Sequence, residues 1–206
     1  MKKFLFFSLL FFLFLPQQAR SKESDLLKKL LIQNANTKRI EATFDQEKKF
    51  AFLNKPVYSH GLLYFEKTDA NTFKLLFTYL DPVNTGIWCQ GDLCYSWTKP
   101  QPLRLATGSE ALVLKQIVAG ILPWLKFEQK TLEEVYTVVE DSTSCLHLRA
   151  KKKTNIPLFQ ICANEDGLLT SLQFTEVQAD TTKLSFTHVV RNGEPKRTLP
   201  DGTVLP

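Results

Sequence analysis

From residue 39 onward, apolar side chains recur at every second position in short runs, and clusters of turn residues separate the runs. Ile40, Ala42 and Phe44 alternate with Arg39, Glu41, Thr43 and Asp45. Successive side chains on a strand point to opposite faces, so this pattern predicts a strand with one wet face. Residues 61–65 read as a second strand, and Phe73, Leu75, Phe77 and Tyr79 share one face of a third. Asn54-Lys55-Pro56, Thr68-Asp69-Ala70-Asn71 and Asp81-Pro82-Val83-Asn84 are the turns between them. Residues 87–89 and 94–97 form a tight hairpin. After an interruption, residues 135–139, 145–149, 158–162, 168–174 and 184–189 repeat the pattern. Short strands at regular spacing argue for an antiparallel meander rather than βαβ units.

Two helices are predicted. Ser24 can cap a first helix in which Leu26, Leu27, Leu30 and Leu31 recur at helical spacing, fading near Asn34-Ala35-Asn36. Ser109 can cap a second, running through Leu112, Val113, Leu114, Ile117, Val118 and Ile121, with Gly120 and Pro123 closing it. Its apolar groups cover much of its circumference, so it has two buried faces or one face awaiting a partner. The tail, residues 192–206, has no clear pattern. A chain of 206 residues is long enough for one sizeable core, and a hydrophobic fraction of 44% argues against disorder.

The four cysteines pair by spacing. A two-residue Gly91-Asp92 turn sets Cys89 opposite Cys94, and a hairpin tip at residues 151–155 does the same for Cys145 and Cys162. The rival reading is a metal site, but there is no Cys-x2-Cys pair and His60, His147 and His188 are scattered. No metal and no cofactor are predicted.

The first segment points to the compartment. Lys2 and Lys3 precede a Phe- and Leu-rich run over residues 4–15, broken by Pro16. That run is short for a spanning helix and has signal-peptide flanks, so residues 1–19 are expected to be cleaved after Ala19 and residues 20–206 to be exported to the periplasm. Losing Lys2 and Lys3 takes the formal charge from +5 to +3. That balance is mild: it is compatible with anionic lipid or an acidic partner, and equally with an exported protein that meets neither. No basic stripe with interleaved aromatics suggests nucleic acid, and a monomer is expected.

Catalytic patterns are missing. No Gly-x-Ser-x-Gly, His-Glu-x-x-His, P-loop or dinucleotide fingerprint occurs. Ser59 and His60 are neighbours on an extended chain and point apart. Glu133-Glu134 and Glu140-Asp141 read as solvated strand edges, and Lys151-Lys152-Lys153 as a wet hairpin tip with a lesser claim on lipid headgroups. The chain is expected not to be an enzyme.

What remains is one apolar face. Ile40, Ala42, Phe44, Leu63, Phe65, Phe73, Leu75 and Phe77 can share it, with Trp97 from the hairpin and Leu114, Ile117 and Val118 from the second helix closing over it. Such a face is either packed core or a cleft for an acyl chain. The order Phe44-Asp45-Gln46, residues 56–65, Phe73-Lys74-Leu75, Asp81-Pro82, residues 88–97 and Thr198-Leu199-Pro200-Asp201-Gly202-Thr203-Val204 resembles the LolA family of periplasmic outer-membrane lipoprotein carriers. The resemblance implies an incomplete antiparallel β-barrel, mostly β, with helices as a lid over a hydrophobic cavity. It implies Phe73 near the cavity mouth, an ATP-driven inner-membrane transporter that loads the cargo and an outer-membrane acceptor that takes it. Where the family often has an Arg-Pro that tethers the lid, this chain reads Glu66-Lys67-Thr68-Asp69. The alternative to a carrier is a periplasmic module that senses lipid or lipoprotein on the same fold.

Overall fold

In the computed structural model, the described residues are 25–195, except 70–71, 127–128 and 154–155, together with Thr198, Gly202 and Val204. Eleven strands make one antiparallel sheet: β1 (Arg39–Lys49), β2 (Val57–Lys67), β3 (Phe73–Asp81), β4 (Thr85–Gln90), β5 (Leu93–Thr98), β6 (Arg104–Leu105), β7 (Tyr136–Asp141), β8 (Cys145–Ala150), β9 (Leu158–Ala163), β10 (Leu169–Thr175) and β11 (Thr181–Arg191). The spatial order is β6-β5-β4-β3-β2-β1-β11-β10-β9-β8-β7. Each half is the meander that the sequence predicts. The halves join through β1 and β11, a long-range pairing that local pattern does not reveal. β6 and β7 end the sheet without pairing to each other, so the barrel is incomplete.

The sheet curls because its ladders are irregular. Register shifts fall in four pairs, at Glu41/Thr43, His60/Gly61, Val138/Glu140 and Leu169/Ser171. An extra residue in one strand bends it and increases its twist. His188, opposite the first of these shifts, takes φ 51°, a conformation His tolerates better than most residues. Curling lets inward residues of both halves join one apolar cluster, from Ile40 and Phe65 to Ile161 and Phe186.

Three helices lie on the inward face: α1 (Asp25–Asn34), α2 (Gly108–Lys126) and α3 (Gln129–Val135). Leu26, Leu27, Leu30, Leu114, Val118, Leu125 and Leu132 bury themselves in the same cluster. Two sequence expectations are corrected here. α2 continues past Pro123 to Lys126, because buried Leu125 anchors its last turn. Residues 129–135 form α3, so Glu133-Glu134, expected at a strand edge, are helical, and Val135 ends that helix instead of starting a strand. Leu132, the one apolar residue that α3 buries, was too isolated to show helical periodicity. The expected cap Ser24 and the leader lie outside the described residues.

Both disulfides form as the spacing predicts. Cys89–Cys94 closes the β4–β5 hairpin, where Gly91 supplies φ 56°, and Cys145–Cys162 ties β8 to β9. Two such bonds mark a chain that folds in an oxidising compartment.

Candidate functional site

The inward face carries an apolar cluster. Ile40, Ala42 and Phe44 of β1 sit in register with Phe65, Leu63 and Gly61 of β2. Leu63 and Phe65 in turn face Phe77 and Leu75 of β3. Ile40, Ala42, Phe44, Leu63, Phe65, Phe73 and Leu75 are 0% to 7% exposed, and Phe77 packs against them half-buried. The sequence-predicted strand residues are therefore brought together. Leu114 and Val118 of α2 join them, while the side chain of Ile117 lies outside the described residues.

Trp97 is the exception. Period two puts Cys94 on the inward face, so Trp97, three residues on, faces outward. It packs with Leu62, Tyr64, Leu76 and Trp88 in a second cluster on the convex side. Its ring covers Gly86, where a Cβ would collide with it, and its indole N–H donates to Asn84 Oδ1 at 3.1 Å.

Aromatic rings organise one half of the interior. Phe44 stacks on Phe77 with centroids 4.8 Å apart, and Tyr79 meets both rings edge-on at 5.7 and 5.4 Å. Gly61 is required beneath them, since a Cβ there would run into the Phe44 ring and the Thr78 carbonyl. Phe65 and Phe73 stack at the other end of the same strands, with the Lys126 ammonium 6.0 Å from the Phe73 ring. The second half supplies Leu146, Phe159, Ile161, Leu172, Leu184 and Phe186. Sequence reasoning left these out of the site, although the alternation in β8 to β11 was the signal that marks them.

Polar groups enter the interior at one end. Gln46 shares the inward parity of Phe44, and its Oε1 accepts the Tyr79 hydroxyl at 2.8 Å. Burial pushes the Tyr79 phenol up, and the bond to Gln46 opposes this only partly.

The helices are held by a few polar ties. At the C-terminus of α1, Arg191 donates to the Gln33 carbonyl at 3.0 Å, to Asn34 Oδ1 at 3.4 Å and to the Asp166 carbonyl at 2.8 Å. Asn34, itself buried, donates to the carbonyls of Leu30 and Gly167. At the N-terminus of α2, Glu110 accepts from Ser96 of β5 at 2.6 Å and from Arg104 of β6 at 2.8 and 3.1 Å. These donors hold the Glu110 carboxyl below its usual range, Ser96 first and Arg104 second. Where the resemblance implies a tethering Arg-Pro, Glu66 instead pairs with Arg39 at 3.4 Å.

Among the described residues no three His, Cys, Asp or Glu side chains are grouped to hold a metal ion, and no helix is long and apolar enough to cross a membrane. A groove of about 220 Å³ is lined by His147, Gln160 and Gln173 and by Leu148 and Phe159 of the inward cluster.

No family model and no curated protein matches the chain. Among solved structures, the chain is similar to a DUF1329 family protein from Desulfovibrio piger, at 9% identity over 84% of this chain and 92% of that one, with a TM-score of 0.46. It is similar to a LolA superfamily protein from Nitrosomonas europaea, at 7% identity over 82% and 93%, with a TM-score of 0.38. The lipoprotein LppX of Mycobacterium tuberculosis matches at 14% identity over 83% and 97%, with a TM-score of 0.40. The LolA-like resemblance read from the sequence stands among these likenesses, and each is a likeness of fold alone.

Proposed function

We propose that the chain is a soluble periplasmic carrier. It takes acyl chains of lipoproteins or lipids between the curled sheet and its helices and shuttles them from the inner to the outer membrane. The observation that supports this reading is the shared interior. Among the described residues, every strand but β6 and all three helices contribute to one apolar cluster, and the helices reach it through side chains and a few polar ties, without joining the sheet's backbone ladder. Phe and Leu linings are non-directional, so they suit a loose grip on chains of varied length. Residues 1–19 act as the cleaved leader and residues 20–206 as the carrier. Loading relies on an ATP-driven inner-membrane transporter and unloading on an outer-membrane acceptor, because no nucleotide-binding motif occurs in the chain.

The test is native mass spectrometry with lipid extraction on the chain recovered from a periplasmic fraction. An acylated species is expected to co-purify with the protein and to be lost from Phe77→Gln, which sets an amide into the half-buried aromatic stack. A clean protein that also refuses added fatty acids and lipoprotein acyl peptides overturns the reading and leaves the interior as packed core.

A further inference from the structure

Past the Phe44–Phe77 stack, the inward face of the sheet turns from apolar to polar. Gln46 follows Phe44 at the next inward position of β1, and Tyr79 follows Phe77 on β3. The Tyr79 hydroxyl donates to Gln46 Oε1 at 2.8 Å. Half-buried Ser59 of β2 stands opposite Gln46 in the ladder. Thr182 of β11 pairs with Lys48, which sets it diagonal to Gln46 at about 7–8 Å.

Thr182 is 2% exposed, and its hydroxyl has no hydrogen-bond partner. Leu184 and Phe186 follow it at the inward positions of β11, and Phe174 faces it from β10. Among the described residues, Gln33, Arg39 and Trp88 also bury a side-chain polar atom without a partner. Gln33 and Arg39 lie by the other end of β1, and Trp88 belongs to the convex cluster. Thr182 is the one set among the inward strand residues. An unpaired hydroxyl in apolar surroundings costs free energy that valine would avoid in the same space, so a core built only to pack has no use for it.

Charge at this end is balanced. Lys48 shares the inward parity, and Glu176 pairs it at 3.1 Å. Lys49 pairs with Glu47 at 3.0 Å, and Asp180 accepts the Ala51 amide. Asp45 and Lys183 take the outward parity, and Asp81 is exposed. Burial pushes the Tyr79 phenol up, and surroundings that disfavour a phenolate disfavour a bound carboxylate too. The inward groups are therefore neutral donors: the Thr182 and Ser59 hydroxyls, and the Gln46 amide N–H groups, whose oxygen Tyr79 already uses. They suit an uncharged acceptor.

We infer that Gln46 and Thr182 form the polar subsite of the acyl site, donating to the carbonyl oxygen of an acyl ester or amide. Tyr79 positions the Gln46 amide. The hydrocarbon runs from there past Phe44 and Phe77 toward Phe73, so the ligand's polar end lies away from the mouth that the resemblance implies. The inference rests on the carrier reading and adds to it an orientation and a preference for ester- or amide-linked chains over free fatty acids.

Native mass spectrometry in equimolar competition tests it, on the delipidated chain from a periplasmic fraction. The probes are monopalmitoylglycerol and its ether analogue hexadecylglycerol, which keeps the chain and the glycerol but has no carbonyl. The unaltered protein is expected to favour the ester about fivefold, the worth of one ordinary hydrogen bond. Thr182→Val and Gln46→Met are each expected to cut that preference about twofold or more, and the double variant to abolish it while still binding the ether. Thr182→Val is also expected to hold or raise the urea midpoint, because it removes an unpaired hydroxyl. A lowered midpoint shows that the hydroxyl is partnered in the resting fold and overturns the inference. So does equal binding of ester and ether by the unaltered protein, or an undiminished preference in the double variant. Palmitate outcompeting the ester overturns the neutral-acceptor assignment. Equal binding of ester and ether leaves the carrier reading standing, whereas binding of neither probe brings both down.

Discussion

Arg191 is the residue whose removal tests how the helices are held. Its guanidinium bonds to the Gln33 carbonyl at the end of α1 and to the Asp166 carbonyl in the β9–β10 turn. Arg191→Ala removes a part-buried charged hydrogen bond, an exposed one and a cation beside the helix C-terminus. The first contributes about 1 kcal/mol, and the other two about 0.5 kcal/mol each, at the lower ends of their ranges because solvent reaches the group. The sum, about 2 kcal/mol, speeds local opening roughly thirtyfold. Hydrogen exchange is the assay, read at the amides of Leu30 to Asn34 against those of β1 and β2. Exchange in α1 is expected to rise by that factor while the β1 and β2 amides move with global stability alone. Arg191→Lys, which keeps the charge but loses the two-pronged geometry, is expected to fall about midway. Refutation is simple to recognise: unchanged exchange in α1 beside a uniform rise in the strands would place the role of Arg191 in β11 and not in the helix tie.

Three more outcomes follow from the same contacts. Gly61→Ala drives a methyl into the Phe44 ring and the Thr78 backbone, and urea unfolding is expected to show a loss of about 1–3 kcal/mol. Replacing both members of a cysteine pair with serine is expected to cost about 3 kcal/mol for Cys145–Cys162 and about 2 kcal/mol for Cys89–Cys94, since loop closure scales with the 17- and 5-residue separations. Glu110, with its folded pKa depressed, contributes stability that is present above its unfolded pKa and lost as pH falls through the folded value. Amide protection factors at the start of α2, taken against the intrinsic rate at each pH, are therefore expected to fall on acidification, and Glu110→Gln is expected to remove that dependence while leaving α1 unaffected.

Local periodicity made most of the sheet readable. Ile40, Ala42 and Phe44 announce β1, and the Gly91-Asp92 turn fixes which cysteines meet, because a two-residue hairpin leaves a single register. Trp97 shows the limit of reading by residue type. An aromatic near the end of a hairpin looks like cavity lining, yet the Cys94 register turns it to the convex face. The β1–β11 junction was not legible, since nothing local links residues separated by about 145 positions. Arg191 was missed for the same reason: its partners come from α1 and the β9–β10 turn, and only the folded chain brings them together. The Lys151-Lys152-Lys153 tip was visible as a wet turn, since a run of like charges between two apolar stretches stays in solvent.

Comparing energies shows which part of the molecule can open. The strands are joined by continuous backbone ladders, and both disulfides lie within the sheet, one in each half. Parting strands would break several backbone hydrogen bonds at once. α1 is held by Leu26, Leu27 and Leu30 and by the Arg191 and Asn34 ties. Re-exposing three leucines costs about 5–9 kcal/mol at roughly 1.5–3 kcal/mol each, and ten residues are too few to stay helical alone. An acyl chain of about sixteen carbons regains about 12 kcal/mol on leaving water, at about 0.8 kcal/mol per methylene. The chain's gain exceeds the cost of moving one helix. Most of the apparent surplus is spent on ordering the chain and on extracting it from a bilayer, where its methylenes are already dry. Water is therefore the wrong reference for loading. On the proposed carrier function, the protein would exchange chains with a membrane or a partner at small net free energy, and its helix ties would have to be weak enough to break within that margin.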